Sequence, residues 1–208
     1  MAINFTNLGG TPAPVEMTPT NSFSLNLEKN NFLNLTKAAP SMTKAKLAAH
    51  WDTSNMGPEA DLDISVFLLD DNQKLANASH VVFYNNKNAY GVSLNGDNRT
   101  GQGDGDDEII TIDFSAIPSR VSKIICCVTI HEAQSRHQTF GMVKNAGVRI
   151  LNVNEDDKEI CNYSLSTDFS TDTAIVIGSF NKNENSWIFQ AIGEGYLADL
   201  NNLAAKFM

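Results

Sequence analysis

Over much of the chain, apolar and polar residues alternate with a period of two in short runs, and turn-forming residues separate the runs. Phe23, Leu25 and Leu27 alternate with Ser22, Ser24 and Asn26, and Phe32 to Leu35 follows after Lys29-Asn30-Asn31, which predicts an opening hairpin. Met42 to Trp51 is in conflict with itself, because it has the Ala, Lys and Leu content of a helix while Ala45, Leu47, Ala49 and Trp51 alternate. Further strands are predicted at 64–69, 81–84, 90–94, 109–114, 123–130, 147–153 and 160–165. Thr173 to Phe180 and Ser186 to Ile192 form a final pair joined by the five residues Asn181 to Asn185. From Glu194 onward the spacing changes to Leu197, Leu200, Leu203, Ala204 and Phe207, which fits one short amphipathic helix packed on the strands. Many short strands at this spacing predict an all-β fold, an antiparallel β-sandwich with a short C-terminal helix.

Residues 1–20 are rich in Thr, Pro and Gly with no periodic pattern, and read as a tail or a short added strand ahead of one domain over 21–208. No linker divides that domain and no internal repeat is visible. A length of 208 residues, 42% hydrophobic and 19% charged, suffices for a sizeable core and argues against wholesale disorder. A net charge of −9 disfavours a nucleic-acid or anionic-membrane surface. Cys126, Cys127 and Cys161 show no metal spacing and read as buried thiols in a reduced compartment. The start, MAINFTNLGG, has neither a basic region nor an apolar run, and no stretch reaches the ~20 apolar residues of a membrane span. A cytoplasmic location is expected.

The concentrated chemistry lies in Gly96 to Glu108, GDNRTGQGDGDDE. Asp97, Asp104, Asp106, Asp107 and Glu108 face one base, Arg99, and together contribute −4 of the net charge. Apolar alternating segments flank the stretch, so it is a loop between two strands. Its chemistry is that of a hard cation: Ca²⁺ takes about six to eight oxygen ligands in flexible geometry, and glycines let a short loop fold back around it. No His or Cys favours a transition metal, and Mg²⁺ uses fewer carboxylates. The spacing is not that of an EF-hand. A solvated hairpin tip is the alternative. Asp61 and Asp63 open a second apolar strand, and at a spacing of two they leave the same face. They read as either cation ligands or a solubilising strand end.

Enzyme signatures mostly fail. His131-Glu132 with His137 sets its histidines six positions apart where a metalloprotease helix needs four, and the stretch to Gln138 reads as a loop. No nucleophile elbow or phosphate-binding loop is present, and His50 and His80 show no partner. Trp51 and Trp187 read as core aromatics.

Several motifs together carry a resemblance. Trp51-Asp52, Asp61-Leu62-Asp63, Val82-Phe83-Tyr84-Asn85-Asn86, Gly96-Asp97-Asn98, Thr100-Gly101 and Gly103-Asp104-Gly105-Asp106-Asp107-Glu108 occur in the order of the TerD family of tellurium-resistance and general stress proteins. Thr139-Phe140-Gly141, Asn145 to Ile150, Tyr163-Ser164-Leu165, Trp187 and Gly193-Glu194-Gly195-Tyr196 extend it to the C-terminus. Ala60 departs from the aromatic residue frequent there, and the first twenty or so residues have no counterpart. The resemblance implies a β-sandwich that binds one or two Ca²⁺ ions through acidic loops, with no established catalysis, and it resolves Met42 to Trp51 as a strand. Carried over residue by residue, it implies Asp61, Asp63, Asp97, Asn98, Asp104, Asp106, Asp107 and Glu108 as metal ligands, with no catalytic residue. The expected output is an ordered surface for other proteins of a stress-response complex. Two other functions use the same residues: a metal-dependent hydrolase, which lacks an evident general base, and a calcium-dependent lectin-like sandwich, which would need an exposed aromatic such as Tyr90 beside the site.

Overall fold

The computed structural model describes residues 25–26, 32–52, 60–95, 105–165, 169–184 and 186–208. Two sheets face each other. The first, sheet A, contains β1 (Leu25–Asn26), β3 (Lys44–Asp52), β6 (Asn88–Ala89), β7 (Val92–Asn95), β8 (Glu108–Asp113), β10 (Lys144–Asn152) and β11 (Lys158–Ser164), in the spatial order β1-β11-β10-β3-β8-β7-β6. Sheet B contains β2 (Phe32–Asn34), β4 (Leu62–Leu69), β5 (Val81–Val82), β9 (Lys123–Ile130), β12 (Ala174–Asn183) and β13 (Ser186–Tyr196), in the order β2-β13-β12-β9-β4-β5. Every pairing is antiparallel except that of β1 with β11. The sandwich expected from the spacing of the strands is therefore present, and the ambiguous stretch Met42 to Trp51 gives a strand, β3, over Lys44–Asp52.

The inner faces supply the main core, with Leu47, Ile110 and Ile112 from sheet A meeting Ile64, Leu68, Ile124, Phe180 and Phe189 from sheet B. Sheet B is also covered on its outer face. There Phe67, Leu69, Ile125, Cys127 and Val176 pack beneath Leu203 and Phe207 from the C-terminal segment. Burial on both faces explains why β4 and β9 are buried at all eight of their positions and read as continuous apolar runs. A side chain such as Phe67, fully buried here, contributes about 1.5–3 kcal/mol. Cys126 enters the inner core and Cys127 the outer layer, as adjacent strand residues must, and Cys161 joins the inner core. Burial pushes all three thiols up, Cys126 also through its neighbour Cys127.

Several boundaries depart from the sequence pattern. Among the described residues β1 and β2 do not pair with each other as an opening hairpin: β1 pairs with β11 in sheet A and β2 with β13 in sheet B, so the two segments extend one edge of each sheet. Tyr90 belongs to a turn between β6 and β7, with φ +44°. β12 and β13 run to Asn183 and from Ser186, so the last hairpin turns in two residues rather than five. β13 continues through Tyr196, past the expected start of the helix. The helix, α3 (Leu200–Ala204), starts at an Asp199 capping box, and Leu197 precedes it fully on the surface, 79% exposed. Two other short helices complete the fold, α1 (Leu35–Ala38) and α2 (Ala133–Arg136), the latter inside the stretch expected as loop. The N-terminal tail lies outside the described residues.

Candidate functional site

The acidic segment leaves β7 at Asn95 and re-enters sheet A at Glu108. Because β7 and β8 pair from Asn95↔Ile109 to Val92↔Ile112, it is the connection of a hairpin, as its flanks predict. Asp97, Asn98 and Asp104 lie outside the described residues, whereas the exit from Gly105 to Glu108 is described. Gly105 adopts φ +115°, a conformation that side chains resist, and turns the chain down onto the sheet.

At this exit three consecutive acids reach three different strands. β3 runs on past its last pairing with β8, Ala49↔Glu108, which leaves the Trp51 N–H without a strand partner on that side. Asp107 substitutes for the missing strand: its own N–H donates to Ala49 O at 2.9 Å, and its Oδ2 accepts from Trp51 N at 2.9 Å. Glu108 follows the inward face of β8 with Ile110 and Ile112 and is 1% exposed. Its Oε2 crosses the sandwich to accept from Ile64 N at 2.6 Å. β5 covers β4 only at Val66 and Phe67, so this carboxylate satisfies an edge N–H that no strand reaches. Asp106 turns to the outer face of sheet A and meets Arg149 of β10, with Nε at 2.8 Å and Nη2 at 2.9 Å. Glu159 of β11 lies 3.3 Å from the same guanidinium. The bond from Asp106 is the leading cause that raises the Arg149 pKa above its ordinary value. Beside this ion cluster, His50, Asn145, Gly147 and Ser164 help to line a cleft of about 500 Å³.

The Asp-x-Asp pair is also buried, so a solubilising strand end is overturned: Asp61 is 8% and Asp63 5% exposed. Alternation puts them on the outer side of β4 with Phe67, while Glu108 arrives from between the sheets, so acids approach the start of β4 from both of its faces. His131, just past β9, donates its N–H to Asp61 O at 2.8 Å, and its Nδ1 lies 3.2 Å from Asp63 Oδ2. Its ring meets Tyr84 edge-on at 5.4 Å. Burial first, then the charges of Asp63 and Asp61, push the Tyr84 phenol up.

Oxygen donors dominate, which fits a hard cation. Among the described residues, no three His, Cys, Asp or Glu side chains group as a metal-binding set. Sequence reasoning did not place Arg149 or His131 beside the acids, since neither lies near them in the chain. It also gave His80 no partner, yet that buried imidazole meets Asn77 Oδ1 at 3.2 Å, Arg120 Nη2 at 3.5 Å and the Tyr90 ring at 4.6 Å. Tyr90 itself stands at the far end of β7 from the acidic loop, next to Gly91, whose carbonyl accepts from Asp113 N. It does not flank the acids as a lectin-like site would require.

Comparison with known proteins follows the same outline. A TerD domain model matches residues 23–207. Tellurium resistance protein TerD of Serratia marcescens is 43% identical over 187 residues, covering 88% of this chain and 97% of that protein. General stress protein 16U of Bacillus subtilis is 40% identical over 188 residues, with the same coverage of 88% and 97%. A crystal structure of a TerD homologue from Streptomyces coelicolor, 23% identical, shares the fold with a TM-score of 0.66 over 79% of this chain and 96% of that one. No described helix is long and apolar enough to cross a membrane.

Proposed function

Since this chain belongs to the TerD family of tellurium-resistance and stress proteins, we propose that it is a non-enzymatic calcium-binding protein of the stress response. The acidic end of the sandwich takes up one or two Ca²⁺ ions and, once filled, presents an ordered surface to other proteins of a stress-response complex in the cytoplasm. One observation carries this reading: Asp61, Asp63 and Glu108 hold carboxylates less than a tenth exposed at the end of the sandwich from which the acidic loop leaves. Carboxylate oxygens are the donors that a hard divalent cation takes. Asp97, Asn98 and Asp104 complete the donor set. When bound, the ion supplies positive charge to this cluster, and the chain's own residues supply oxygens and hold the strand ends in place.

The hydrolase reading gains one group, the His131 imidazole beside Asp63. Family members bear the names of resistance and stress proteins, which favours the binding role. The test is thermal unfolding of chelator-treated protein titrated separately with Ca²⁺ and Mg²⁺, beside an Asp61→Asn, Asp63→Asn double variant. At a hundred times its dissociation constant, Ca²⁺ stabilises by ~2.7 kcal/mol, a rise of roughly 5–11 °C for a domain of this size, and the variant loses most of that rise. A transition that neither ion moves refutes the calcium reading.

A further inference from the structure

Asp106 differs from its neighbours in how its carboxylate is used. Asp107 accepts from the Trp51 N–H and Glu108 from the Ile64 N–H. Both oxygens of Asp106 face a single guanidinium, Oδ1 toward Arg149 Nε and Oδ2 toward Nη2, in the fork-on-fork geometry that commits a carboxylate to one partner. The Asp106 side chain is only 9% exposed, so water competes little for it. Arg149 is held in turn from its other side by Glu159, which fixes the guanidinium against sheet A. Arg149 pairs with Ala48 of β3, and Asp106 belongs to the exit that hydrogen-bonds Ala49, so the ion pair spans β3 from β10 to the start of β8. Gly105 supplies the turn that aims Asp106 outward.

We infer that Asp106 is the anchor of the acidic loop rather than a cation ligand, and that Arg149 is the positioning residue that clamps the loop's exit to sheet A. This deepens the calcium reading and rests on it. With the exit fixed, Asp107 and Glu108 start from a smaller set of conformations, and taking up the cation costs less ordering entropy. A ligand and an anchor respond differently when charges are exchanged. An arginine at position 106 repels a cation if that position is a ligand, yet remakes the clamp if position 149 carries an aspartate.

The experiment compares Asp106→Arg, Arg149→Asp and the double exchange in the full chain. Calorimetric Ca²⁺ titration is read beside hydrogen exchange of the 105–108 amides in chelator. Each single variant weakens Ca²⁺ binding about 10-fold or more and speeds exchange at 105–108, and the double exchange restores both to within about 3-fold of the parent. A double exchange that restores protection without restoring Ca²⁺ binding makes Asp106 a ligand and overturns the inference. So do single variants whose 105–108 amides exchange at the parent rate. Should a reversed charge unfold the chain, Asp106→Asn and Arg149→Gln give the same test: an anchored pair loses no more affinity when both are changed than when one is, whereas a ligand and an unrelated arginine give separate effects. If the parent binds no Ca²⁺ at all, the calcium reading falls, while exchange in chelator still decides whether Arg149 clamps the loop.

Discussion

Replacing Glu108 tests the bond that ties the two sheets together at the acidic end. In Glu108→Ala the Ile64 N–H loses its 2.6 Å acceptor at an edge that β5 does not cover. Ile64 is 1% exposed, so water is a poor substitute. A hydrogen bond to a charged acceptor is worth about 1.5–3 kcal/mol, and the cavity left by the truncated side chain adds to that loss. Removing a buried carboxylate from among other acids gives part of it back. The net expectation is a loss of about 2–3 kcal/mol in chelator, with no cation involved. For a domain of this length that lowers the melting temperature by roughly 4–12 °C. Glu108→Gln keeps an oxygen at the same reach and should lose only about 1 kcal/mol. Urea unfolding in chelator measures both. If Glu108→Ala falls within about 0.5 kcal/mol of the parent, the cross-sandwich bond contributes nothing to stability and Glu108 is no part of the scaffold.

Two further expectations concern parts of the fold distant from these acids. Burial, and secondarily the charge of Arg120, lower the His80 pKa below its ordinary 6.5, so the unfolded chain binds this proton more readily than the folded one. The stability that neutral His80 secures is therefore present above pH 6.5 and lost as pH falls through the lowered value; melting temperature against pH should decline more steeply below 6.5 in the parent than in His80→Gln, and parallel curves would refute this. At Gly178, where β12 is bulged against both neighbours, an added Cβ would collide with Gln190 O and stand 2.5 Å from the Phe189 ring. Gly178→Ala should cost about 3 kcal/mol in urea unfolding, and a cost below about 1 kcal/mol would show that the bulge can shift.

Alternation alone located the strands that have one polar face. β8, with inward Glu108, Ile110 and Ile112 and half-buried residues between, follows the period of two closely. β4 and β9 lack alternation because α3 and its neighbours bury their second face, and length with flanking turns identified them instead. The misplaced opening hairpin has a plain cause: two adjacent strands in sequence carry no mark of which sheet each joins, and only distant β11 and β13 decide it. The acids were legible as a cluster but not in their division of labour. Nothing within Gly103 to Glu108 tells that one carboxylate belongs to Arg149, one to the Trp51 backbone and one to the Ile64 backbone, since these partners are 43, 56 and 44 residues away. Sequence reasoning assigns carboxylates to ions readily because it cannot see orphaned backbone donors.

The strand order also sets a timetable. Sheet B joins β2 to β13 at one edge and places β12 between β9 and β13, so the sheet draws on residues 32–34 and 186–196 at once. A chain emerging from the ribosome can pair β3, β6, β7 and β8 by residue 113, but it holds β9 with one bare edge until residue 174 arrives. All eight positions of β9 are buried in the finished protein, and during that interval half of its backbone donors and acceptors are open to any passing strand. Synthesis interrupted between those two points would release a fragment suited to aggregation, and the segment from Ala174 onward acts as the cover that ends the exposure.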